Sequence, residues 1–280
     1  MNKKILFLDI DGTIVDFNNN IPPSAAAAID AARKNGHKVY LCTGRSKPER
    51  CDDLMQAVPV DGIICSYGAY IESDGKVLFH RTIEPETVTQ IINLLYDRGL
   101  VFYEETELAT YCDGDFLETG SKIFARYEGR EYNPADAVKY VDVFFPHMLY
   151  GADVYSVSPE KISYSLNSMA DYEAVQSAFP QHYHGKWGGT DFLTFADITS
   201  GDISKDKGIL KVVSHLGMKT EDTIAFGDGD SDVKMFDVCG TGVAMGNASA
   251  GAKAAADYVT APITEDGLYK AFLHLGLIEE

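Results

Sequence analysis

Two groups of aspartates in this chain stand at spacings that chemistry could use. Asp9 and Asp11 lie one residue apart, just after the apolar run Ile5–Leu8 and just before Gly12 and Thr13. Side chains so spaced on an extended strand point to opposite faces, so the two carboxylates reach one crevice only if the chain turns, which Gly12 permits. Close carboxylates repel unless a cation lies between them or one holds a proton. A hard cation with oxygen ligands, such as magnesium, meets the first condition. The plain alternative is a surface turn, because Asp, Gly and Thr are also turn residues. The second group is Asp228, Asp230 and Asp232, interleaved with Gly227, Gly229 and Ser231. A helix-flanked calcium loop is excluded: it needs Glu at its twelfth position, and counting from Asp228 that position is Cys239. Thr43-Gly44-Arg45 offers a hydroxyl, a glycine amide and a guanidinium, a set that holds phosphate oxygens or simply caps a helix. Lys207, before Gly208, could neutralise a phosphoryl group, although Lys205 and Lys211 flank it and a surface lysine is the simpler account.

The elements that carry these residues share one rhythm. Ile5–Leu8 reads as a strand buried on both faces. Pro22-Pro23-Ser24 opens an alanine-rich helix that Gly36 ends, and Val39–Cys42, a helix over Lys47–Ala57, and Ile63–Cys65 continue the alternation. Strands separated by helices predict a parallel sheet with right-handed crossovers, and ligands bind at the carboxyl ends of such strands. After the Asp74-Gly75 hairpin the pattern changes to short strands, aromatics and acidic helices, among them 132–143 and 168–179. The alternation returns with a strand predicted over Phe192–Ala196, a helix striped by Ile209, Val212, Val213 and Leu216, and strands at Ile224–Phe226 and Val243–Met245. The expected architecture is an α/β, Rossmann-like core in two parts, residues 1–82 and 187–280, interrupted by an α+β insert at 83–186.

Taken together and in order, these segments resemble the haloacid dehalogenase-like phosphatases, and more narrowly the Cof-type hydrolases with a type IIB α/β cap. Asp9 to Thr13 matches the Asp-x-Asp-Gly-Thr motif, Thr43 to Arg45 the Thr-Gly-Arg motif, and Lys207-Gly208 the Lys-Gly motif. Gly227 to Asp232 matches Gly-Asp-Gly-x-Asn-Asp with Ser231 in place of Asn, and Met245 to Ala248 resembles the later Met-Gly-Asn-Ala segment. Tyr67 also departs, standing where Asn is usual. The resemblance implies a magnesium-dependent phosphatase acting on a small phosphorylated metabolite. It implies Asp9 as nucleophile and Asp11 as acid and base, with Lys207 stabilising charge. Metal ligands would be Asp9, Asp11 (through its main-chain carbonyl), Asp228 and Asp232. Thr13, Thr43, Gly44, Lys207 and Ser231 would bind phosphate, and Arg45 the substrate. A phosphomutase shares every motif, and a non-catalytic phosphate-binding regulator is the third class.

Composition bounds the partners. The 280 residues carry a formal charge of −18, with 45% hydrophobic and 24% charged residues, an ordinary globular balance. Excess negative charge repels nucleic-acid backbones and anionic membrane surfaces. Residues 84–185 hold 17 acids against 6 bases, a net −11, so the acidity sits largely on the insert. An anionic substrate therefore needs a local reversal of the field, expected from magnesium, Lys207, Arg45 and main-chain amides. Only four apolar residues follow Lys3-Lys4 before Asp9, too few for a signal peptide. The five cysteines include no Cys-x-x-Cys pair, which predicts reduced core residues in a cytoplasmic protein. Oligomeric state is not encoded in any of these features.

Overall fold

The computed structural model describes residues 3–16, 19–188 and 194–279. They form two compact units, Met1–Gly44 with Asp53–His80 and Ser204–Glu280, and Arg45–Asp52 with Arg81–Ile203.

The first unit is built on an eight-stranded sheet. Its order is Tyr258–Val259, Thr241–Ala244, Thr223–Gly227, Ile5–Leu8, Lys38–Cys42, Gly62–Cys65, Tyr70–Ser73 and Lys76–His80. The first six strands run parallel, and the last two add antiparallel pairings. Ile5–Leu8 is central because all four side chains are apolar and fully buried, which contributes roughly 2 kcal/mol each. Chain order runs outward from it in both directions, so its carboxyl end is the topological switch point of the sheet. The Asp74-Gly75 turn has positive φ at both residues, as a tight hairpin demands. Helix Pro23–Lys34 opens with Pro at its first position. The second helix is shorter than expected, Cys51–Ala57, since Pro48 precedes it and Arg50 sits at φ 59°.

The second unit is a six-stranded sheet ordered Tyr183–Gly188, Thr194–Thr199, Lys161–Ser165, Phe102–Glu105, Thr110–Tyr111 and Met148–Leu149. All pairings are antiparallel except the last. Helices Pro85–Asp97 and Met169–Ala178 belong to this unit, and Val88, Ile91, Ile92, Leu95 and Val175 join Phe102, Ile162 and Ile198 in one apolar cluster. Phe116–Tyr127 and Ala137–Asp142 supply Phe116, Phe124, Tyr140 and Val141 to another cluster with Tyr103 and Phe195.

This division corrects the expected boundary at 186/187. The strand expected over Phe192–Ala196 in the returning core is described as Thr194–Thr199, and it pairs with Tyr183–Gly188 on one side and Lys161–Ser165 on the other. An apolar strand after an insert satisfies either sheet locally; here the hairpin partner claims it, and the core resumes at Ser204. Residues 192 and 193 of the predicted strand lie outside the described residues. Within those described, no helix is long and apolar enough to cross a membrane. Four of the five cysteines are buried and Cys239 is half-buried.

Candidate active site

The site assembles at the carboxyl ends of the strands around Ile5–Leu8. Asp9 continues that strand, its N–H donating to the Phe226 carbonyl at 2.9 Å. The chain then folds over at once. The Ile10 carbonyl accepts from the N–H groups of Thr13, Ile14 and Val15, and Gly12 takes φ 76°. A Cβ at Gly12 would lie 2.1 Å from Asp228 Oδ2, so glycine is required both for the turn and for the approach of Asp228. Asp9 is left 7% exposed while Asp11 is exposed.

Strand Thr223–Gly227 delivers the second aspartate group to the same place. Asp232, 1% exposed, accepts from the N–H groups of Asp228 (3.0 Å) and Gly229 (2.9 Å) through Oδ2. Asp9, Asp228 and Asp232 each present an oxygen within 4.8 Å of the others'. Asp230 instead turns outward to the Ser249 hydroxyl, and Ser231 is exposed on the turn.

Lys205 is the cation at the centre of this group. Its Nζ donates to Asp9 Oδ1 and to Asp232 Oδ1, each at 2.6 Å, and the residue is 3% exposed. This corrects the assignment of Lys207. Both lysines lie on helix Lys205–His215, whose buried stripe is Lys205, Gly208, Ile209, Val212 and Val213. Two residues along a helix is a rotation of about 200°, so Lys207 falls on the opposite face. It is exposed and lines a groove with Leu78, Phe79 and Leu210.

The electrostatics follow from burial. Burial, then the charges of Asp232, Asp228 and Asp11, push the Asp9 carboxyl well above its ordinary value despite Lys205. Burial, then Asp232 and Asp11, push Asp228 up to about 7. Burial alone would lower the Lys205 ammonium, but Asp232 and Asp9 hold it well above its usual range. One ammonium among these carboxylates leaves negative charge uncompensated. The all-oxygen donor set therefore fits a divalent metal.

Thr43 follows the neighbouring strand Lys38–Cys42 and is 1% exposed; its N–H donates to the Ile64 carbonyl at 2.8 Å. The Thr13 hydroxyl is fully buried and has no hydrogen-bond partner among the described residues. Gly44 closes the first unit, and Arg45 begins a segment of the second, where its guanidinium donates to the Glu49 carbonyl at 3.3 Å. Asn247 had no role in the sequence reading. Its Nδ2 donates to the Gly12 carbonyl at 2.9 Å and lies 3.5 Å from Asp228 Oδ2, while Oδ1 accepts from the Ile263 N–H. It thus ties the Asp9–Thr13 turn to Asp228.

Comparison with known proteins gives the family. A family model described as haloacid dehalogenase-like hydrolase matches residues 6–272. The protein YkrA of Bacillus subtilis (strain 168) is 30% identical over 285 residues, covering 100% of both chains. The pyridoxal phosphate phosphatase YbhA of Escherichia coli (strain K12) is 26% identical, covering 99% of this chain and 100% of that one. Among solved structures, the haloacid dehalogenase subclass IIB sugar phosphatase BT4131 is 31% identical, covers 99% of this chain and 100% of its own, and superposes with a TM-score of 0.78. The chain belongs to the haloacid dehalogenase-like hydrolases, as a phosphatase with the subclass IIB α/β cap.

Proposed function

We propose that this phosphatase hydrolyses the phosphomonoester of a small metabolite, with magnesium, through a phosphoryl group carried on Asp9. The observation that carries the reading is the buried Asp9 carboxylate at the switch point, held at 2.6 Å by Lys205 and faced by Asp228 and Asp232.

An Asp9 oxygen attacks phosphorus and the bond to the leaving oxygen breaks, giving an acyl phosphate. Asp11 donates a proton to the departing alkoxide. It then takes one from water as that water attacks phosphorus, freeing Asp9 and releasing inorganic phosphate. The exposure of Asp11 supports a group that exchanges protons with substrate and water, while the burial of Asp9 supports one that does not. Lys205 takes the charge-stabilising role expected of Lys207, orienting Asp9 and neutralising the developing negative charge. Thr43, the Gly44 amide and Thr13 bind phosphoryl oxygens; the buried, unpartnered Thr13 hydroxyl supports that role. Magnesium held by Asp9, Asp228, Asp232 and the Asp11 carbonyl would supply charge neutralisation across the phosphoryl oxygens.

Two relatives act, by their names, on pyridoxal phosphate and on sugar phosphates, so both classes belong in the test panel. The purified protein is assayed for phosphate release from p-nitrophenyl phosphate and from that panel, with magnesium. Turnover in the wild type and its loss in Asp9→Asn are expected. Persistent turnover in Asp9→Asn would refute the nucleophile.

A further inference from the structure

Strand Gly62–Cys65 leaves the sheet through a turn whose backbone is strained twice in succession. Ser66 and Tyr67 both lie in the left-handed region, at φ 49° and 58°, and Gly68 follows at 108°. Side-chain-bearing residues rarely adopt that conformation, and consecutive ones persist only where the surroundings over-determine them. Here the surroundings are two parts of the site. The Tyr67 N–H donates to the Thr43 carbonyl at 3.0 Å, and the phenol ring lies flush on the next residue. A Cβ on Gly44 would fall 2.6 Å from Tyr67 Cζ and 2.9 Å from its hydroxyl oxygen. Gly68 in turn packs on the start of the Lys205 helix: a Cβ there would lie 2.8 Å from the Ser204 carbonyl. A Cβ on Gly208, one turn further along, would lie 2.8 Å from Ile64 Cγ2 and 3.4 Å from the Gly68 Cα. A single turn thus touches both the Thr43-Gly44 loop and the residue preceding Lys205. Tyr67 is buried, 6% exposed, and its ring covers Gly44.

We propose that Tyr67 is a positioning residue for the phosphoryl group. Its ring and its strained backbone fix the height and direction of the Thr43-Gly44 peptide, so that the Gly44 amide is set in register with Lys205. This rests on the phosphatase reading and deepens it. Glycine at 44 is needed for space, and an aromatic ring at 67 fills that space. Removing the ring leaves the amide free to tilt, and an ångström of misplacement at a site of this kind costs as much as ~10²-fold in rate. Asp228 and Asp232 are reached from a different strand, so affinity for magnesium stays unchanged.

The test uses the full chain with excess magnesium and p-nitrophenyl phosphate. It compares wild type with Tyr67→Phe, Tyr67→Ala, Gly44→Ala and the double variant, recording kcat, KM, inhibition by inorganic phosphate, half-saturating magnesium and Tm. Tyr67→Ala is expected to lower kcat/KM by about 10- to 100-fold. It should weaken inorganic phosphate by about tenfold, with half-saturating magnesium moved less than about twofold. Tyr67→Phe keeps the ring and restores both readouts. Gly44→Ala reproduces the phosphate defect, and adds little once the ring is gone, because contacting residues are non-additive. Should Tyr67→Ala not fold, Gly44→Ala against wild type carries the same readout. An active wild type in which Tyr67→Ala lowers Tm yet leaves phosphate inhibition unchanged overturns the assignment of Tyr67 alone. Strict additivity of Tyr67→Ala and Gly44→Ala does the same. A wild type without turnover on any phosphoester overturns the phosphatase reading, and this assignment with it.

Discussion

Glu104 is expected to couple the stability of the second unit to pH. It lies in strand Phe102–Glu105, opposite Ile162 and Tyr111, on the face that Phe102 and Ile162 share with the apolar cluster of Pro85–Asp97. The residue is fully buried, and neither carboxyl oxygen has a hydrogen-bond partner among the described residues. Burial, then the charge of Asp153, push its pKa up to about 8, from an ordinary value of 4.5. The sign follows from linkage. Between those two values the folded chain keeps a proton that the unfolded chain has released, so stability falls as pH rises, from full below about 4.5 to its lowest above about 8. Each pH unit in that window costs about 1.4 kcal/mol, which places the deficit at pH 7 on the order of 3 kcal/mol.

Glu104→Gln keeps the shape and removes the titration. The buried amide carries its own penalty of roughly 1–3 kcal/mol, but that penalty does not depend on pH. The informative quantity is therefore the difference between the two proteins. The variant is expected to gain on wild type by on the order of 3 kcal/mol between pH 5 and pH 8. Trp187 is the only tryptophan; it belongs to the second unit and stacks on Phe195 with ring centroids 4.4 Å apart. Urea unfolding followed by its fluorescence thus reports the unit that holds Glu104, while groups common to both proteins cancel. A difference that stays constant from pH 5 to pH 8 would show that Glu104 ionises normally, and would refute the reasoning.

Lys205→Met removes the only described cation touching Asp9, and kcat is expected to fall by about 10³-fold, whereas Lys207→Met leaves phosphate release unchanged; the reverse ranking would restore the motif assignment. Excess chelator should abolish turnover and magnesium restore it, and activity persisting in chelator would count against the carboxylate cluster as a metal site. In the second unit, Lys161 is 3% exposed and lies 3.1 Å from Glu105, 3.5 Å from Glu49 and 3.8 Å from Asp197. Lys161→Met removes this buried ammonium from those carboxylates and should cost about 3–5 kcal/mol by Trp187-monitored unfolding. A loss below about 1 kcal/mol would mean that the carboxylates take up protons instead.

Much of the first unit was readable because its signals are local. Ile5–Leu8, Lys38–Cys42 and Gly62–Cys65 are short apolar runs bounded by turn residues, and a parallel sheet needs little else to be recognised. The carboxyl ends of such strands then name Asp9, Thr43 and Asp228 without any knowledge of pairing. The second sheet was not readable in the same way. Phe102–Glu105 meets Lys161–Ser165 some sixty residues later, and its buried face carries Glu105, Lys161, Ser163 and Asp197. Polar side chains in a strand signal solvent exposure; only the pairing reveals that they neutralise one another. The boundary error at Thr194–Thr199 has the same origin, since strand pairing across an insert is decided by tertiary partners.

The lysine was legible, and the motif concealed it. Adjacency to glycine selects Lys207, but the stripe Ile209, Val212, Val213 and Leu216, carried one turn towards the N-terminus, selects Lys205. A lysine on the buried phase of an amphipathic helix must have a carboxylate partner, because a buried ammonium without one is prohibitively costly. That helix begins beside strand ends bearing three aspartates, so the phase alone predicts which amine reaches Asp9 and Asp232. The local field reversal that an anionic substrate requires in a chain of net charge −18 is therefore a matter of helix phase. One lysine in the right rotation is buried against Asp9, and its neighbour two residues on is left to solvent.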